Sequence, residues 1–156
     1  MSDCCSNGQS SELLNCPLCQ QKGEPIQIST LKSQLKPQAM RQTTDGQYFF
    51  CKTQECKIVY FDAHSQFKTE DIREKVFQKD PSPDCYVCYC FGFSRGEIFK
   101  DAQTDKPGIA QQITAWTAAK KCACELRNPQ GSCCLGNVKQ VEKEGLSISK
   151  SRPFNV

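Results

Sequence analysis

Cys85-Tyr86-Val87-Cys88-Tyr89-Cys90-Phe91-Gly92 packs three cysteines into residues 85–92. The same residue type returns in Cys122-Ala123-Cys124 and in Ser132-Cys133-Cys134. Upstream it forms Cys16-Pro17-Leu18-Cys19, then Cys51 and Cys56. In all, 13 of the 156 residues are cysteine. At that density cysteine is a scaffold element rather than an ordinary core residue. Hydrophobic residues make up 38% of the chain and the mean hydropathy is −0.57. A polar chain of this length has little apolar core to rely on and needs covalent or metal staples.

The choice lies between disulfides and metals. The first ten residues, Met-Ser-Asp-Cys-Cys-Ser-Asn-Gly-Gln-Ser, have neither a basic region nor an apolar run and do not read as a secretory signal. The longest apolar strip, Ile58-Val59-Tyr60-Phe61, is far short of a membrane span. The expected compartment is therefore cytoplasmic and reducing, where structural disulfides are rare and closely spaced cysteines read as metal ligands. The odd cysteine count also argues against a closed disulfide framework. A single histidine, His64, excludes a Rieske centre and Cys₂His₂ fingers, and is expected on a surface loop. All-thiolate sites remain.

Cys16-x₂-Cys19 is a knuckle that aims two sulfurs at one point, and Cys51-x₄-Cys56 supplies a second pair between two strand-like runs. Together they make a tetrahedral S₄ site, suited to zinc or to rubredoxin-like iron. Four protein ligands leave no open position, so its expected role is structural.

The spacing of apolar residues suggests an α+β chain in two lobes. A Cys-containing N-terminal segment, 1–15, is expected to be flexible. A β-rich, metal-binding lobe follows at 16–80, with strands near Pro25–Ile28, Tyr48–Phe50 and Lys57–Phe61 and a short helix around Leu31 and Leu35. Thr69 to Gln78 fits helix or strand equally. Asp80-Pro81-Ser82-Pro83-Asp84 reads as a linker. A helical lobe is expected at 85–144. Ser94-Arg95-Gly96-Glu97 is a capping box, Pro107 sits at the start of a second helix, and a third runs from Leu135 to about Lys143. Residues 145–156 are expected to be a flexible tail. Residues 1–87 carry 10 Lys and Arg against 11 Asp and Glu, and residues 88–156 carry 10 against 6. This basic excess is too mild for a nucleic-acid binder but suits an anionic metal cluster.

The segments Cys-Tyr-Cys-Phe-Gly at 88–92 and Cys-x₃-Asn-Pro-x-Gly-x-Cys-Cys at 124–134 resemble the N-terminal domain of CopZ-type copper chaperones. So do Cys-Pro-x-Cys at 16–19, Phe-Cys-x₄-Cys at 50–56 and the Val-Tyr-Phe run. The resemblance implies one zinc in the first lobe, on Cys16, Cys19, Cys51 and Cys56. It implies a [2Fe–2S] cluster in the second, on Cys88, Cys90, Cys124 and Cys134. The second lobe is also similar to bacterioferritin-associated ferredoxins. N–H groups at helix starts near Ser94 and Leu135 are expected to face the cluster. CopZ-type chaperones carry a further heavy-metal-associated domain, and nothing after Gly136 reads as one. The expected partners are therefore a metal transporter or a separate chaperone with that domain, a redox partner protein and a soft metal ion, copper or mercury.

Five cysteines stand outside these sets. Cys4-Cys5 is a vicinal pair that can capture a soft ion. Cys85, Cys122 and Cys133 flank the second set and are alternative ligands to it. The functional expectation is an iron–sulfur metallochaperone-like protein with one-electron transfer, an electron carrier or metal binder rather than an enzyme, with metal reduction as its nearest enzymatic activity. The competing expectation is a structural two-zinc interaction or regulatory module. A thiol-redox role for Cys85-x-x-Cys88 lacks the βαβ pattern such enzymes show.

Overall fold

Tyr48-Phe49-Phe50 and Ile58-Val59-Tyr60-Phe61 are buried at every position. Strands covered on both faces read as continuous apolar runs and belong in the middle of a sheet. In the computed structural model, which describes residues 14–151, they do. β1 (Glu24–Ile26), β2 (Tyr48–Phe50), β3 (Ile58–Phe61) and β4 (Gln66–Lys68) form one antiparallel sheet in the order β1-β2-β3-β4. Between β1 and β2 lie helices α1 (Ile28–Gln34) and α2 (Pro37–Met40). Pro37 opens α2 at a position where its missing N–H costs nothing.

Alternation along β2 divides the sheet. Tyr48 and Phe50 pack with Leu31 and Leu35 of the α1 side. Phe49 points the other way, stacks on Phe61 with centroids 5.7 Å apart, and shares an apolar cluster with Cys16, Cys51 and Cys56. The thiols are thus floored by aromatic rings. Gly23 makes this possible, since a Cβ there would stand 2.7 Å from the Phe49 Cβ and overlap the Phe61 ring.

Thr69–Asp71 is a 3₁₀ turn, and Asp80 to Asp84 forms neither strand nor helix. A two-stranded antiparallel ribbon follows, β5 (Tyr86–Cys88) with β6 (Phe93–Ser94). Then come α3 (Arg95–Ala102), α4 (Ile109–Ala118), α5 (Cys124–Arg127) and α6 (Leu135–Ser151). Ser94 caps α3, accepting from the Glu97 N–H while Glu97 accepts from the Ser94 N–H. A third apolar cluster, with Val87, Ile98, Ile113, Val138 and Val141, lies under these elements. The fold is α+β.

Two expectations need correction. α6 does not end near Lys143 but continues to Ser151. Gly145 is buried in its middle, where a Cβ would stand 2.7 Å from the Phe99 carbonyl and 2.8 Å from the Ala102 Cβ. The glycine marks a close crossing of α3 and α6, not a helix end. The N–H groups at the start of α3 do not face a cluster either. Arg95 donates to the Cys85 carbonyl, Gly96 to the Pro83 carbonyl and Glu97 to Ser94 Oγ. Cys4 and Cys5 lie outside the described residues.

Candidate metal centres

The first centre is built from two turns. Cys16 donates its N–H to the Gln21 carbonyl at 2.8 Å and accepts at its own carbonyl from the Gln20 N–H at 2.9 Å, closing the knuckle. Gln20 sits there at φ 63°, a strained conformation for a side-chain-bearing residue. The second turn joins β2 to β3. Cys51 is pinned by its N–H to the Val59 carbonyl, 2.8 Å, and Cys56 by its N–H to the Thr53 carbonyl, 3.2 Å. The Sγ atoms of Cys16 and Cys56 are 3.7 Å apart and those of Cys19 and Cys51 3.6 Å. All four lie within 4.8 Å of one another. A tetrahedron of sulfurs bound at about 2.3 Å has edges of about 3.8 Å, so the group has the size of a mononuclear site.

Burial pushes the Cys16 thiol up to about 12 and raises Cys56 as well. At Cys19 burial opposes ionisation. The Thr53 hydroxyl, the Gln21 N–H and the neighbouring Cys51 and Cys16 thiols outweigh it and bring Cys19 down to about 6. Lys79 Nζ reaches Cys51 Sγ at 3.5 Å from the other side.

The second centre draws on four elements. Cys88 ends β5, and Cys90 follows in the turn closed by the Gly92 N–H on the Cys88 carbonyl, 2.9 Å, with Gly92 at φ 74°. Cys124 opens α5 and Cys134 immediately precedes α6. Their sulfurs interact in a series. Cys90 and Cys124 Sγ are 3.7 Å apart, and Cys134 interacts electrostatically with both Cys124 and Cys88. Interaction with the Cys134 thiol lowers Cys124 to about 6 and Cys88 to about 7 and raises Cys134 itself. Burial lifts Cys90 to about 12, although the Ala123 N–H donates to its sulfur at 3.2 Å. The N–H groups serving these sulfurs come from the ligand loops themselves.

The flanking cysteines separate. Cys122 leans on Cys124 and Thr117. Cys133 is exposed. Cys85 is fully buried and turned away, its Sγ 3.7 Å from the Lys75 carbonyl. His64 is exposed on the turn between β3 and β4, its N–H donating to Asp62. Sequence reading missed Lys79 and Thr53, because a single charged or hydroxyl residue at long separation carries no spacing signal.

Residues 13–73 match the zf_CopZ family, described as a zinc binding domain. All four cysteines of the first centre lie inside that match, and the second centre lies beyond it. The chain is 26% identical over 129 residues to the copper chaperone CopZ of Archaeoglobus fulgidus, covering 83% of this chain. It spans 62% of that protein's length. The X-ray structure of the A. fulgidus CopZ N-terminal domain superimposes with a TM-score of 0.70 at 23% identity, over 82% of this chain and 97% of that one. Among the described residues no helix is long and apolar enough to cross a membrane. In fold, and in the zinc-binding segment that carries its Cys₄ group, the chain resembles the N-terminal domain of CopZ-type proteins.

Proposed function

We propose that the chain is an iron–sulfur metallochaperone-like protein, working in the cytoplasm, with two lobes of separate roles. Cys16, Cys19, Cys51 and Cys56 hold a structural zinc. Cys88, Cys90, Cys124 and Cys134 hold a [2Fe–2S] cluster. The observation that carries this is the different shape of the two thiol groups. The first closes around one point within 4.8 Å. In the second Cys90 and Cys124 are 3.7 Å apart and the further interactions run in series, Cys124 to Cys134 to Cys88. A chain of pairs spreads four thiolates over two metal ions rather than one, and thiolates are the ligands such clusters take.

A bound [2Fe–2S] cluster supplies one-electron transfer. The chain's own groups exclude water and carry the charge. Cys88, Cys124 and Cys134 are buried, the Ala123 N–H stabilises Cys90, and the surplus of Lys and Arg after residue 88 offsets the anionic site. Loaded in this way, the chain would take single electrons from a redox protein and pass them to Cu(II), giving Cu(I), and would hold a soft ion, Cu(I) or Hg(II), for exchange with a transporter or a partner chaperone. Anaerobic purification with metal analysis tests the proposal. Iron near two and zinc near one per chain, with an EPR signal appearing only on reduction, is the expected result. A colourless, iron-free protein with two zinc ions would overturn it in favour of a two-zinc interaction module.

A further inference from the structure

The loop between Cys124 and Cys134 has little structure of its own. α5 is four residues long, too short to stand alone, and its last carbonyls have no helical partners. Those carbonyls are met from the zinc-binding segment. Thr30 Oγ1 donates to the Glu125 carbonyl at 2.6 Å. Gln34 Nε2 donates to the Leu126 carbonyl at 2.9 Å and the Arg127 carbonyl at 3.1 Å. The Tyr60 hydroxyl donates to the Pro129 carbonyl. Thr30 also lies against Gly131, where a Cβ would stand 3.0 Å from its Oγ1 and where φ is +72°.

All three donors are buried, Thr30 and Tyr60 completely and Gln34 at 3% exposure. Thr30 and Gln34 are one helical turn apart on α1, so one face presents both. Polar side chains at such depth persist where they find partners, and here the partners are four carbonyls of one loop. Tyr60 belongs to β3, whose neighbours Ile58 and Phe61 line the first thiol centre.

We infer that Thr30, Gln34 and Tyr60 are positioning residues for the second centre, fixing the 125–131 loop so that Cys124 and Cys134 meet Cys88 and Cys90. The first lobe is then a template for the second site as well as a zinc holder. This rests on reading Cys124 and Cys134 as ligands, but not on which metal they bind.

The test uses full-length, zinc-loaded, cluster-free protein and maps iodoacetamide labelling of each cysteine by mass spectrometry. Thr30→Val and Gln34→Leu together should speed labelling of Cys124 and Cys134 about tenfold, the order of factor set by a lost hydrogen bond. Zinc content and labelling of buried Cys85, whose sulfur faces the Lys75 carbonyl, should not change, and Thr30→Ser should keep the wild-type rate. Tyr60→Phe, which deletes one hydroxyl from a retained ring, is the milder second variant and should show the same selectivity. After iron–sulfur reconstitution the same variants should shift the EPR g-values and shorten cluster lifetime against a chelator. Unchanged labelling of Cys124 and Cys134, or an equal rise at Cys85, overturns the inference. A wild-type protein that takes up no iron defeats the cluster reading, while the labelling still decides the positioning role.

Discussion

Lys79 Nζ stands 3.5 Å from Cys51 Sγ and 2.7 Å from the Thr53 carbonyl, so a cation from beyond the sheet closes over the first thiol centre. A zinc held by four thiolates carries a net charge of about −2, and a charge-assisted N–H···S bond offsets part of it. Lys79→Met should leave zinc near one per chain but speed its loss to a competing chelator by roughly threefold to tenfold, the range for a partly exposed charged hydrogen bond. Lys79→Arg should retain most of the protection. A chelation rate unmoved by Lys79→Met would remove the lysine from the site.

The two sulfurs of the Cys133-Cys134 pair are placed differently. Cys134 is buried and interacts electrostatically with Cys88 and Cys124, whereas its neighbour Cys133 is exposed. Cys133→Ser should keep iron near the wild-type amount. Cys134→Ser should lose most of it, or leave a cluster with altered EPR and faster decay, because oxygen replaces a soft thiolate. Equal iron in both variants would mean that the loop can present either sulfur. Iron analysis with visible spectra decides between these outcomes.

Periodicity and spacing made much of the fold and of the first centre legible in the residues. Ser94 with Glu97 marks the start of α3, and the unbroken apolar runs Tyr48–Phe50 and Ile58–Phe61 mark central strands. The knuckle spacing of Cys16 and Cys19, with the pair Cys51 and Cys56, is enough by itself to single out the first thiol group. The misses share a cause. α2, β4 and α5 are three or four residues long, below the length at which a pattern repeats. The loop carbonyls that Thr30 and Gln34 satisfy lie more than 90 residues away in sequence. No local rule reports such partners.

Gly145 shows the same limit and offers a stability test. Read locally, a glycine after Lys143 and Glu144 is a helix stop. In the fold it lets α3 and α6 approach within a Cβ's width, with the Phe99 carbonyl 2.7 Å and the Ala102 Cβ 2.8 Å from where that atom would be. Gly145→Ala gains about 1 kcal/mol of helix propensity. It also forces backbone apart, an overpacking cost of about 1–3 kcal/mol. The second term wins because one obstruction is main chain, which cannot rotate away. Thermal unfolding should show a net loss of roughly 1 kcal/mol, and a raised Tm would show that α3 and α6 can separate without penalty.

Proton release on metal binding should report the thiol network of the second centre. With zinc in the first site and the second empty of metal, Cys124 should titrate at about 6 and Cys88 at about 7, both lowered by interaction with the Cys134 thiol. Cys90, held up to about 12 by burial, and Cys134, raised by the same shared bonds, keep their protons. Metal ligation requires all four as thiolates. At pH 8 only Cys90 and Cys134 have protons to give, so Cd(II) binding at this centre should release about two per chain. As pH falls through 7 and then 6, Cys88 and Cys124 become protonated before binding, and the count should climb toward about four. The sign follows from the lowered pair: the lower the pH, the more protons the metal must displace and the weaker its apparent affinity. Cd(II) titration into weakly buffered protein with a pH indicator gives the count directly. A count of four at both pH 6 and pH 8 would mean that interaction with Cys134 does not lower Cys88 and Cys124 in solution.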